Sequence, residues 1–153
     1  MTFSHTQPLV VTRPDGAEMD PLYDAWSLLR EARRVPIDLG IELWAREVAS
    51  MIHRVVAAIS VHTTSMEAEE SPLMAKLRGE TDDARAVQAQ VSEHHQLSVA
   101  TDEILATLED SDLDNGQVLG VAERLIELEI ALARHLNRLH EIFGRQPWHA
   151  PAR

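Results

Sequence analysis

Between Ile41 and Leu73 the side chains Ile41, Val48, Ile52, Val55, Ile59, His62, Met66 and Leu73 recur every three, four or seven residues. That spacing draws one buried stripe along a long helix, with none of the two-residue alternation of a half-buried strand. A second stripe is formed by Val87, Val91, His94, Ser98, Thr101, Leu105 and Leu108, and a third by Val118, Val121, Leu125, Leu128, Leu132, His135, Leu139 and Ile142. Stripes of this length restrict the chain to helices packed along their apolar faces.

Helix punctuation divides the sequence into four segments. The first spans residues 20–34, with Asp20 as cap, Pro21 at the first helical position and Val35-Pro36 as the stop. The second spans 37–70, and Ser71-Pro72 marks a break or kink near its end. After Arg78-Gly79 the third starts at about residue 81, where Asp82 and Asp83 suit a helix N-terminus. An acidic, polar turn over 111–116 leads to the fourth, 117–143, with Gly144 beyond it. The expected fold is all-α: an antiparallel up-and-down four-helix bundle over 20–145, flanked by an N-terminal arm, 1–19, and a C-terminal tail, 146–153.

A length of 153 residues, 44% of them hydrophobic, suits a single domain with its own core. The formal charge of -11 repels nucleic acid and gives no purchase on an anionic membrane. The most apolar stretch, 48–61, is interrupted by His53 and Arg54 and is shorter than the roughly 20 residues that span a bilayer. No basic leader or long apolar run opens the sequence, so no secretory signal is expected. Cysteine is absent, which suits a reducing cytoplasm and leaves only His and carboxylate side chains as metal ligands.

Three imidazoles stand out against this background. His62, His94 and His135 fall on the apolar faces of three different helices, where each needs a polar partner. A shared metal, or one another, would supply it. His53 lies about a hundred degrees off its stripe and is expected at an interhelical edge, while His95 is expected to face solvent. His5 and His149 lie in the arms.

In VHTTSMEAEESPL, EHHQL and ARHLNRLHEIF, the chain resembles the hemerythrin-like family of cation-binding bundles, over roughly residues 20–145. The resemblance implies two non-haem irons bridged by carboxylates, used for oxygen binding, oxygen or nitric oxide sensing, iron handling or peroxide chemistry. It also implies an inward His on the first helix, a His followed by a carboxylate on the second and fourth, and a Glu-His pair on the third. His62, Glu93-His94 and His135 match that pattern. Trp26 stands near the first-helix position, and Met66 and Leu139 stand four residues after His62 and His135, where the carboxylates would be.

Substitute ligands are Glu67 after His62, His140 and Glu141 after His135, and Glu69, seven residues from His62 and two turns along the same face. A five-residue step turns a side chain about 140° from the histidine, against about 40° for four, so Glu67 would have to swing inward. Met66 and Leu139 lie on the apolar stripes, which makes this layer greasy and the two-metal site degraded.

Three functions remain open at this level. The first is a bundle holding mono- or dinuclear non-haem iron through His62, His94 and His135, aided by Glu67, Glu69, His140 or Glu141, with an open position for a small diatomic ligand. The second is a metal-free relative acting as an interaction or regulatory module toward a protein partner or a second copy of the chain. The third, weaker, is a haem bundle using a Met such as Met66 or Met74 with a His. Trp26 and Trp44 read as core or interface aromatics. There is no phosphate-binding Gly-rich loop, Gly-x-Ser-x-Gly elbow, His-Glu-x-x-His pair or Glu-x-x-His pair, which weighs against an enzyme and names no catalytic residue.

Overall fold

The computed structural model describes residues 21–78 and 84–142, without the side chains of 76–78. The expected arms 1–19 and 146–153, the Asp20 cap, the Asp82-Asp83 helix start and the Gly144 stop lie outside the described residues. Among the described residues five helices follow in order: α1 Pro21–Ala32, α2 Ile41–Met66, α3 Pro72–Arg78, α4 Ala84–Leu108 and α5 Asn115–Ile142. No strand occurs among the described residues, and no helix among them is long and apolar enough to cross a membrane.

Helix α2 departs from its expected limits at both ends. It begins at Ile41 rather than residue 37 because Gly40, at its N-cap, holds φ 107° and ψ 160°, a region essentially reserved for glycine. A Cβ built on Gly40 would meet nothing within 4 Å, so the constraint is purely one of backbone conformation. Gly40→Ala is therefore expected to lower stability by about 1–3 kcal/mol in urea unfolding, with the helical content of the folded protein unchanged.

The other end of α2 is Met66, not residue 70, and the chain restarts as α3 at Pro72. Ser71 performs this change of direction. Its hydroxyl donates to the Met66 carbonyl at 2.5 Å and accepts the Met74 N–H at 3.1 Å, so one buried side chain closes α2 and caps α3. Pro72 then occupies the first helical position, where its missing N–H costs nothing.

Around the core, α1 packs on α2 and α5, and α4 packs on the same two helices, while α3 lies chiefly against α4. Leu22, Leu29, Val48, Ile52, Ile104, Leu125 and Leu132 belong to the main apolar cluster. Met66, Leu73, Val87 and Leu139 form a second, smaller one. Trp26 and Trp44 are both buried in the first, as the sequence leads one to expect.

Helix α4 buries Val87, Gln90, His94, Leu97, Thr101, Ile104 and Leu108. Its inner face is thus rotated from the expected stripe, exchanging Val91, Ser98 and Leu105 for Gln90, Leu97 and Ile104. Both patterns share Val87, His94, Thr101 and Leu108; burying Leu97 in place of Ser98 adds apolar contact and leaves a hydroxyl in water.

A buried carboxylate fastens α1 to α5. Glu129 pairs with Arg33 and lies 4.0 Å from Arg30 Nε, and the Arg30 guanidinium sits 4.7 Å from the centre of the Trp26 ring. These contacts fix the helix on which the resemblance places a metal ligand, and Trp26 there is core.

Candidate metal centre

One turn before each end of the small apolar cluster, the interior becomes polar. His62 on α2 lies between Ile59 and Met66, and His135 on α5 between Leu132 and Leu139, all of them buried. His94 on α4 completes the layer, and the three rings meet edge to face with centroids 4.9, 4.9 and 5.3 Å apart. One nitrogen from each can be chosen so that all three lie within 4.8 Å of one another, making this a group able to hold a metal ion among the described residues.

Two carboxylates orient the rings from outside. His135 Nδ1 lies 2.8 Å from Glu93 Oε1, and His94 Nδ1 lies 2.6 Å from Glu67 Oε2. An ionised carboxylate only accepts hydrogen bonds, so each Nδ1 carries a proton, and in the neutral imidazole each Nε2 then carries a lone pair. Glu93 is itself held by Arg138. Imidazoles fixed through one nitrogen by a carboxylate, with the other nitrogen turned inward, form the usual outer support of histidine metal sites.

The inner spacing agrees with that reading. His62 Nε2 and His135 Nε2 are 3.2 Å apart. Metal–imidazole bonds of about 2.0–2.1 Å in a tetrahedral site place ligand nitrogens roughly 3.3 Å apart. With His135 Nε2 as the acceptor, His62 Nε2–H is the donor between them, and an ion held there by neutral imidazoles would need His62 to carry its proton on Nδ1 instead.

Of the substitute ligands, Glu67 does approach the triad, but on the outer side of His94 rather than among the inner nitrogens. Glu69 and Glu141 are exposed and lie outside the three-residue group. His140 is drawn to α1 instead, where its Nε2 is 3.0 Å from Tyr23 Oη. His53 is exposed at the α2–α4 edge, 3.3 Å from Glu109, and His95 is exposed on α4, both as expected. Glu93, named in the sequence only as part of the Glu93-His94 pair, proves to support His135, and Gln90, buried beside it, has no counterpart in the sequence expectations. Following the inner face one turn back from His94 would have found Gln90.

The carboxylate-bridged two-metal set does not fit these residues. Met66 and Leu139, where the resemblance implies bridging carboxylates, are fully buried with Leu73 and Val87, and Trp26, near the first-helix position it implies, is core. A single ion among three imidazoles does fit. A groove of about 530 Å³ between α2 and α4, lined in part by Ser60, Thr63, Glu67, His95 and Ser98, reaches His94 from the surface.

Compared with protein-family models, curated proteins and solved structures, the chain matches none.

Proposed function

We propose that this chain is a hemerythrin-like, antiparallel up-and-down four-helix bundle that holds one non-haem metal ion, iron first among the candidates, through His62, His94 and His135. In this reading α3 is an addition within the connection between α2 and α4. Antiparallel order is supported by paired contacts. Tyr23 meets His140 while Arg33 meets Glu129, and Glu93 meets His135 while Thr107 meets Arg124.

The observation that carries the reading is the 3.2 Å separation of His62 Nε2 and His135 Nε2 inside a layer whose outer nitrogens are held by Glu67 and Glu93. Neutral imidazoles suit iron, zinc, copper and nickel, and three of them leave a coordination position for a small molecule such as oxygen or nitric oxide. The α2–α4 groove brings solvent up to His94, and the role in this reading is sensing or redox handling.

Metal analysis of the chain purified without chelator tests this, together with thermal unfolding before and after iron addition. One iron per chain is expected, with unfolding free energy raised by about 2.7 kcal/mol at a hundredfold excess over Kd. A colourless, metal-free protein whose unfolding is indifferent to iron, zinc and cobalt would sink the proposal, and an intense absorption band near the blue edge would point to haem instead.

A second reading, a metal-free interaction module, draws on α5. Leu119, Ile126 and Ile130 are exposed there at spacings of seven and four residues, which puts them on one face. The same metal analysis separates it from the first.

A further inference from the structure

Gln90 is fully buried one turn before His94 on α4. Its Nε2 donates to Glu93 Oε1 at 3.3 Å. A carboxylate offers no proton in return, so this bond fixes which end of the amide faces Glu93 and leaves Oε1 on the other branch. Among the described residues Gln90 Oε1 has no hydrogen-bond partner. Burying an amide oxygen without a donor is unfavourable, a cost that Leu or Met at this position would avoid.

The amide is also continuous with the imidazole layer. The Glu93 oxygen that accepts from Gln90 is the one that accepts from His135 Nδ1, so Gln90, Glu93 and His135 form one hydrogen-bonded chain. The small cluster on that side of the layer, Met66, Leu73, Val87 and Leu139, contributes apolar side chains only.

We infer that Gln90 belongs to the metal site as a positioning residue: its Oε1 accepts a hydrogen bond from a small protic molecule, water at rest, held in the coordination position that the three imidazoles leave open. This rests on the reading that an ion sits among them. It sharpens that reading by naming a ligand class. A molecule that can donate a hydrogen bond to Gln90 Oε1 keeps that bond, whereas a ligand without a donor must displace a well-held water and recovers nothing for it.

Cobalt(II), whose visible bands report its ligands, is the probe. The full chain and its Gln90→Leu variant are each loaded with Co2+ and titrated with azide, which cannot donate a hydrogen bond. Both are expected to bind one Co2+, with azide binding about tenfold tighter in the variant, the equivalent of one lost hydrogen bond to the displaced water. The metal-free variant should unfold at or above the wild-type temperature, because the unpartnered oxygen is gone. Gln90→Met, closer in length, gives the same azide shift should Leu pack poorly. Equal or weaker azide binding in the variants overturns the inference, as does loss of Co2+ uptake in both, which would make Gln90 a direct ligand. Failure of the wild-type chain to take up Co2+ would instead overturn the metal reading, and this inference with it.

Discussion

His135→Ala is expected to abolish metal binding and, independently, to lower the stability of the metal-free protein by about 2–4 kcal/mol. His135 is the centre of the polar layer. Its Nε2 accepts from His62, its Nδ1 donates to Glu93, and it stands beside the fully buried Leu132, Leu136 and Leu139. Truncating the ring opens a cavity beside the His62 and His94 rings and strands the His62 N–H. Urea unfolding with and without metal separates the two effects. The wild-type chain gains stability from the ion and the variant gains none, so equal gains in both proteins would place the ion elsewhere.

Met66→Glu is expected to cost more than about 3 kcal/mol in the metal-free protein, because it places a carboxylate in a dry cluster of Leu73, Val87 and Leu139. Met66 is fully buried one turn beyond His62, the position at which the family resemblance implies a metal-bridging carboxylate. If an ion lies among the imidazoles, adding iron should recover part of the loss, since the new carboxylate lies on the same helical face as His62 and can join its ligands. Unfolding midpoints measured with and without iron decide the matter. A deficit that iron leaves untouched would put Met66 beyond the reach of any ion held by His62.

Much of this architecture was legible in advance, and the failures share a cause. The α2 stripe from Val48 to Met66 was read residue for residue, because strong apolar side chains at three- and four-residue steps admit one buried face. On α4 the side chains are weaker, and two registers through Val87, His94, Thr101 and Leu108 compete. Contact with α2 and α5 selected the one containing Gln90, Leu97 and Ile104. The break at Ser71-Pro72 was visible, but not the short helix after it, which depends on Ser71 bonding Met66 behind and Met74 ahead.

The site divides in the same way. Placing His62, His94 and His135 indoors needed only helical periodicity, and so did placing Met66 and Leu139 on the apolar stripes; the reason to look for carboxylates there came only from the family resemblance. Glu67 was expected to swing toward an ion, yet its carboxylate lies on the outer nitrogen of His94. Glu93 holds His135 from a different helix, 42 residues away. A long, flexible acidic side chain can reach several neighbours, and which one it meets depends on how the helices are rotated and spaced.

The sequence alone therefore determined that this chain is helical and that three imidazoles face its interior, since both follow from spacing along a single helix. Tertiary structure alone decided that their nitrogens converge, that Glu67 and Glu93 support the rings from outside, and that Gln90 is buried beside them. Those are relations between helices, set by the packing of α2, α4 and α5 and not by the period of any one of them.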